Sequence, residues 1–265
     1  MQPRARGAVS LSVRSGGRGT VLARLRQSGS LKALFPRPSG TGLQAVLINT
    51  GGGVTGGDRF RVEAHAGAGT ELTLTTQAAE RAYRAQPGLT GSIATAITVD
   101  AGARVNWLPQ ETILYDGAAL NRSLTVDMAE DAALLLVEPL VFGRTAMGES
   151  LRDAQFIDHI EIRGPAAPLY LDRLRLAGDI AGHLGRRAVA GSANAMATLV
   201  YVAPDAGARL APLRALLPAT AGASLIRETL LCIRILAPDS FVLRQSLIPI
   251  LNRLTGDDLP RTWTI

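Results

Sequence analysis

The chain has 265 residues, of which 47% are hydrophobic and 19% charged, a balance typical of a globular protein rather than a disordered one. Its net charge of +6 comes from arginines that are scattered along the chain, so the sequence does not indicate a basic arm for nucleic acid. The sequence has neither a run of 18 apolar residues nor a signal-peptide core, so we expect a soluble, cytoplasmic protein that does not enter a membrane.

Residues 8–163 follow the two-residue period of β-strands rather than a helical period. Segments such as VSLSVRS, FRVEAHAG and SIATAITVD alternate or are short and β-branched, with Gly, Asp or Pro between them. This pattern predicts a mainly β fold.

A glycine loop at residues 51–56 satisfies the spacing G-x-G-x-x-G directly after an apolar run. A phosphate-binding loop of this kind must open a helix, whereas the residues that follow alternate as a strand. A Walker A loop is also excluded because Gly57 stands where lysine is required. We therefore predict a turn between two strands at residues 49–58, a strand from Phe60 to Ala66, and Asp58 at the exit of the turn.

Three segments, which begin at His65, Val99 and Met128, each combine a small-residue turn with a strand and a polar exit. They recur at roughly 30 to 35 residues, an interval typical of stacked supersecondary units. Ordinary hairpins with Gly and Ala turns are the alternative. If the units stack, the polar exits at residues 77–84, 110–116 and 138–144 lie on neighbouring layers. They would then gather four charged residues around a polar interior: Glu80, Arg81, Glu111 and Glu138.

The pattern changes in residues 194–256, which we interpret as strand, helix, strand and helix packed on a single domain that spans residues 1–265. The first helix is DAGARLAPLRALL, with Pro212 in its early part, and the long segment ASLIRETLLCIRIL is predicted as one strand. In the second helix Ser240 is the predicted N-cap. Its apolar face contains Leu243, Leu247, Ile250, Leu251 and Leu254.

The sequence contains few candidate catalytic or metal-binding residues. The three histidines are far apart in sequence, and Cys232 lies in an apolar run, so we expect neither a tight metal site nor a reactive thiol. Carboxylates are better represented, and a hydrolase that uses Glu111, Asp116 or Glu138 is an alternative hypothesis. A basic RNA-binding protein is a third, but the chain has few aromatic residues to stack on bases.

Five motifs, in order along the chain, resemble the urease accessory protein family UreD, also called UreH. They are NTGGGVTGGD, LTTQAAERAYR, WLPQETILYDGA, LVEPLVFGRTAMGE and the closing LPRTWTI. The similarity extends from about Gly16 to the last residue. Ala85 stands where many relatives have serine, so no role of that hydroxyl is carried over.

The resemblance implies a β-helical or stacked-sheet maturation factor with two helices that is not an enzyme. It implies binding to apo-urease subunits together with a UreF-type protein and a UreG-type GTPase, with nickel in transit through the interior and no tightly bound cofactor. Weak oxygen ligands would let the ion pass, whereas imidazole or thiolate ligands would trap it. On this basis we predict a transient nickel conduit of Asp58, Glu80, Glu111 and Glu138. Residues predicted to line it or to contact partners are Arg81, Tyr83, Arg84, Asp116, Arg144 and Glu149.

Overall fold

The computed structural model describes residues 4–37, 40–144 and 147–264 of the chain. It is mainly β, as predicted, and three helices lie in its C-terminal part. The first eight strands are β1 Arg6–Gly16, β2 Gly19–Gly29, β3 Leu31–Leu34, β4 Leu43–Asn49, β5 Arg59–Ala66, β6 Glu71–Thr76, β7 Glu80–Ala82 and β8 Gly91–Val99. The next six are β9 Arg104–Leu108, β10 Thr112–Leu114, β11 Ala119–Met128, β12 Ala133–Phe142, β13 Ala154–Arg163 and β14 Pro168–Gly178. The remaining elements are α1 Ile180–Leu184, β15 Ala195–Val202, α2 Ala206–Arg214, β16 Ala221–Arg227, β17 Leu230–Ala237, α3 Ser240–Thr255 and a 3-10 turn at Arg261–Trp263.

The strands form two sheets that the chain visits alternately. The first sheet has the order β14-β13-β11-β8-β5-β1-β2, and the second has the order β16-β17-β15-β12-β9-β6-β4-β3. The central strands of both sheets are parallel, whereas antiparallel strands close the edges. The middle of the chain is therefore a solenoid, in which one coil contributes one strand to each sheet.

The register of the parallel strands confirms the predicted stacking of repeated units. Thr73 on β6 pairs with Asn106 on β9, and Leu135 on β12 follows Asn106 on the next coil. These intervals agree with the spacing found in the sequence. The repeats are therefore coils of one solenoid and not separate hairpins.

Two hydrophobic cores hold the molecule together. The larger core fills the space between the sheets, where alternate residues such as Val62, Leu72 and Val105 are buried. The second core lies on the opposite face of the second sheet and is covered by α2, α3 and Trp263. All five residues of the predicted apolar face of α3 are buried in it.

Several C-terminal details differ from the sequence-based expectation. Helix α3 is capped by Asp239, whose carboxylate accepts a hydrogen bond from the N–H of Val242, because Ser240 already belongs to the first turn. Pro212 lies in the last turn of α2 and not in its early part. The segment predicted as one long strand is the hairpin β16–β17, which turns at residues 228–229. Helix α1 was not predicted.

The glycine loop is a turn between β4 and β5, as predicted, and no helix begins in it. Gly53 has φ +156°, and a Cβ atom there would come within 2.3 Å of the ring of Tyr83. The backbone of the next residue, Val54, exchanges hydrogen bonds with Arg81 and Tyr83, each over 2.8 Å. The glycines thus allow the loop to pack tightly against β7, and a strand rather than a helix N-terminus follows the loop, so it is not a phosphate-binding loop.

Within the described ranges of the chain, no helix has both the length and the apolar character needed to cross a bilayer.

Candidate functional site

The three predicted polar exits meet at one end of the solenoid. Glu80 on β7 pairs with Thr112 on β10, and Thr112 pairs with Leu140 on β12. The short parallel strands β7 and β10 extend the second sheet on the side of the glycine loop, where Val54 forms a bridge to Ala82. The prediction that these segments lie on neighbouring layers is therefore confirmed.

Beside this ladder, a cavity of about 250 Å³ lies between the two sheets. Its polar lining includes the side chains of Glu80, Gln110, Arg122 and Glu138. Much of the remaining wall is apolar, with Leu31, Leu47, Phe60, Val62, Ile93, Trp107 and Leu124. The cavity thus combines a few charged and several neutral polar groups with an extensive apolar wall.

Glu80 is a partly buried carboxyl group near the glycine loop. The amide of Asn49 donates hydrogen bonds to both of its oxygens, over 3.0 and 3.3 Å, and also binds the carbonyl of Gly53. Burial raises the pKa of Glu80 to about 7, although Asn49 and Arg81 favour the charged form. Glu80 can therefore exchange a proton, or give it up to a cation, near neutral pH.

Deeper in the molecule, Arg122, Glu138 and Asp158 form a buried charge cluster that connects the two sheets. Arg122 Nη1 lies 2.5 Å from Glu138 Oε2, while its Nε and Nη2 donate to the two oxygens of Asp158 over 2.9 and 2.6 Å. The indole of Trp107 donates to Glu138, and Arg122 also donates to the hydroxyl of Thr112. All these groups are paired, as buried charges must be.

The pKa values in this cluster are set by burial and by the contact of one guanidinium, that of Arg122, with two carboxylates. Burial raises the pKa of Glu138, and the charge of Asp158 acts in the same direction, while Arg122 and Trp107 oppose it. Burial alone would lower the pKa of Arg122, but Asp158 and Glu138 together raise it above its ordinary value. Arg122 therefore stays charged, and its charge opposes the rise that burial causes in the pKa of Glu138.

A smaller cavity of about 10 Å³ lies beyond the cluster. Glu138 lines both cavities, and Asp158, Asp172, Thr198 and Arg234 also line the smaller one. Arg234 pairs with Asp172, and its side chain is 46% exposed. A row of acidic side chains therefore leads from Glu80 at the glycine loop, through the buried cluster, to a pair at the protein surface.

Cys232 lies near this second end. Its Sγ is 3.7 Å from the hydroxyl of Tyr170, which donates a hydrogen bond to Asp172. Burial raises the pKa of the Cys232 thiol, so the thiol form is favoured over the thiolate.

Two residues of the predicted conduit lie outside both cavity linings. Asp58 is buried, and its two oxygens accept hydrogen bonds from the backbone N–H groups of Ala5 and Thr55 over 2.8 and 2.9 Å. Glu111 points to the other side of the second sheet, where it pairs with Arg244 of α3. Residues 110 and 111 precede β10, and Arg244 also donates to Oε1 of Gln110 over 2.5 Å, so both side chains contact α3.

The other predicted residues gather at the end of the solenoid next to β7 and β10. Arg81 lines the large cavity, while the rings of Tyr83 and Tyr115 meet edge to face with centroids 5.0 Å apart. The guanidinium of Arg144 stacks on Tyr115 and pairs with Glu149. Arg84 pairs with Asp116, which also accepts two hydrogen bonds from backbone N–H groups at residues 152 and 153. We call the group of Arg81, Tyr83, Arg84, Tyr115, Asp116, Arg144 and Glu149 the end patch.

Arg122, Asp158 and Asp172 were not predicted from the sequence, although a signal for two of them exists. Arg122 falls in phase with the buried residues Leu120 and Leu124 of β11, and Asp158 falls in phase with Phe156 and Ile160 of β13. A charged residue at an inward position of a strand requires a buried partner of opposite charge.

The hydrolase hypothesis assigns catalysis to Glu111, Asp116 or Glu138. Each of them instead belongs to a separate ion pair, with Arg244, Arg84 and Arg122 respectively. The described part of the chain also has no group of three or more His, Cys, Asp or Glu side chains placed to hold a metal ion.

The comparisons with known proteins identify the family. A model of the "UreD urease accessory protein" family matches residues 5–264. The chain belongs to the UreD family. Among its relatives, each named urease accessory protein UreD, one from Ruegeria pomeroyi is 59% identical, over 93% of this chain and 96% of the relative. One from Roseobacter denitrificans is 51% identical over 100% of this chain and 96% of the relative. One from Sinorhizobium medicae is 48% identical over 99% of this chain and 96% of the relative.

This membership settles the class of function. UreD proteins are urease accessory proteins, that is, maturation factors and not enzymes, so this chain acts in urease maturation and the hydrolase hypothesis is set aside.

Proposed function

We propose that this UreD chain carries Ni²⁺ through the space between its two sheets to apo-urease, as part of a complex with a UreF-type protein and a UreG-type GTPase. The observation that supports the proposal is the row of four acidic residues along the two adjoining cavities: Glu80, Glu138, Asp158 and Asp172. The ion is cargo in this function, and the chain has no need to retain it.

The chemistry of the cavities suits a divalent ion in transit. At ~30 Å³ per water, the larger cavity has room for on the order of eight waters, enough for an ion that keeps part of its hydration shell. Carboxylates and hydroxyls are weak ligands for Ni²⁺ compared with imidazole or thiolate. An ion held by such groups can leave again, as transport requires.

Glu80 and Glu138 would be the first two carboxylates that the ion meets from the end patch. Burial raises the pKa of Glu80 to about 7, so Glu80 can exchange a proton for a cation, whereas Glu138 would exchange its contact with Arg122. The end patch would contact a partner protein, because its Arg and Tyr side chains are of the kinds enriched at protein interfaces.

The test uses cells that express urease with all its accessory proteins. Glu138→Gln should reduce the nickel content and activity of urease on the order of tenfold, while the accessory complex is still recovered. Glu138→Gln keeps the shape of the side chain and leaves Arg122 paired with Asp158. Glu130→Gln is the matched control, because Glu130 lies on an exposed turn.

Two results would contradict the proposal. Wild-type nickel loading in both Glu80→Gln and Glu138→Gln would mean that the ion does not pass these residues. Failure of the wild-type chain to co-purify with urease subunits and a UreF-type partner would exclude the proposed complex.

A further inference from the structure

The guanidinium of Arg122 lies on the boundary between the two cavities. Arg122 lines the larger cavity, whereas Asp158, which it binds through two hydrogen bonds, lines the smaller one. Glu138, its second partner, lines both. The guanidinium therefore lines the larger cavity and also binds the two carboxylates of the cluster that line the smaller one.

Oxygen atoms from three side chains surround the guanidinium. They belong to Glu138, Asp158 and Thr112, at 2.5, 2.6 and 3.1 Å from the nearest nitrogen. Carboxylate and hydroxyl oxygens are also the ligands of hard divalent cations. The same oxygen cage could accept a divalent cation if the guanidinium were absent.

The two carboxylates are held with different firmness. Asp158 makes a bidentate contact with Arg122 and is its direct neighbour on the adjacent strand β13. Glu138 belongs to the opposite sheet and contacts Arg122 through Nη1, with Trp107 as a second donor. If a cation takes Glu138, Arg122 still keeps its firmer partner, so the exchange leaves no charge unpaired.

We propose that Arg122 is the positioning residue that closes the passage between the cavities and prevents Glu138 and Asp158 from trapping the cation. A passing ion competes with the guanidinium for Glu138 and is released when the guanidinium returns. This inference rests on the proposed function as a nickel passage, and it adds the residue that keeps binding transient.

The experiment measures thermal unfolding of the purified full-length chain with and without millimolar Ni²⁺ or Mg²⁺, and no urease is present. Arg122→Met retains much of the side-chain length but removes the charge, so the variant should unfold at a lower temperature than wild type. Either ion should then raise the Tm of Arg122→Met by about 5 °C or more, because the ion binds the folded cage and not the unfolded chain. The wild-type Tm should stay unchanged.

Two controls separate this role from simple structural support. The triple variant Arg122→Met, Glu138→Gln, Asp158→Asn lacks the charged cage and should show no shift with metal. Arg122→Lys retains a positive charge in the cage and should respond less than Arg122→Met. If Arg122 only supports the fold, Arg122→Met is destabilised equally with and without metal, and the proposal is wrong.

If Arg122→Met cannot be purified without metal, the same comparison is made by refolding. The proposal requires recovery of folded Arg122→Met with Ni²⁺ or Mg²⁺ and not with a chelator. Failure in both conditions, while the triple variant folds, would overturn it. Because urease is not involved, this result is independent of whether Glu138→Gln lowers nickel loading in cells.

Discussion

The indole Nε1 of Trp107 donates a hydrogen bond to Oε1 of Glu138 over 2.7 Å, in a part of the molecule where both side chains are buried. Trp107 comes from β9 and Glu138 from β12, which are neighbouring parallel strands of the second sheet. The bond orients one carboxylate oxygen and leaves the other to Arg122. Two of the five family motifs therefore meet in one contact.

Trp107→Phe tests this contact, since it keeps an aromatic ring but removes the donor. We expect a loss of about 1–3 kcal/mol in the free energy of unfolding, because a buried carboxylate loses a hydrogen bond. Nickel loading of urease should fall as well, since Glu138 is no longer oriented. Urea denaturation and urease activation measured on the same variant check both effects, and Trp263→Phe serves as a comparison in which the lost bond goes to the backbone carbonyl of Leu108. Unchanged activation in Trp107→Phe would show that the orientation of Glu138 has no role.

Glu80 predicts a specific dependence of stability on pH. Its pKa is raised from 4.5 to about 7 in the folded chain, so between these values the folded state holds a proton that the unfolded state has lost. The stability that this group contributes is complete below pH 4.5 and is lost as pH rises through 7, a change of ~3 kcal/mol. Glu80→Gln should remove this fall. Urea denaturation of both proteins between pH 4 and 8 should give curves that diverge as pH rises, and parallel curves would refute the assignment.

The sequence predicted some of the charged residues of this site and not others. The stacking of coils was predictable because turn, strand and polar exit recur at a regular interval, and the register of β6, β9 and β12 confirms it. Glu80 and Glu138 were predicted because both lie in the polar exits of the repeated units, and both also lie in motifs of the resemblance. Asp158 belongs to none of these motifs, and its partner Arg122 lies on a strand 36 residues away in sequence.

The sequence-based expectations that failed concern boundaries and facing directions. A two-residue turn at residues 228–229 divides what was predicted as one strand, because Glu228 and Thr229 form the turn without the Gly, Pro, Asn or Asp that usually marks one. Glu111 was predicted to face the interior, but Arg244 of α3 binds both Glu111 and the side-chain oxygen of Gln110. Both residues precede β10, so the alternation of a strand does not determine which side their side chains face.

A substitution of Asp58 distinguishes a structural role of this carboxylate from a role in nickel transport. Both of its oxygens accept hydrogen bonds from backbone N–H groups, so Asp58→Ala should leave two donors unpaired and cost about 1–3 kcal/mol or more. Nickel loading should then fall only in proportion to the loss of folded protein. Urea denaturation and complex recovery measure this, with Asp131→Ala on an exposed turn as control. Wild-type stability together with reduced nickel loading would instead place Asp58 in the conduit.

The end patch predicts a charge-dependent contact with a partner protein. Arg81 is exposed in this patch, close to the entrance of the larger cavity, so Arg81→Glu should weaken binding about tenfold without changing the fold. The matched control is Arg14→Glu, because Arg14 is exposed at the opposite end of the strands, beside residue 67. The measurement is recovery of the accessory complex and of urease subunits on the tagged chain at low and at high salt. If a partner binds through this patch, Arg81→Glu should recover less of the accessory complex at low salt, whereas Arg14→Glu should recover as much as wild type. If both variants behave alike, the partner surface lies elsewhere, and the tyrosines and arginines of the patch then serve to hold the glycine loop against β7.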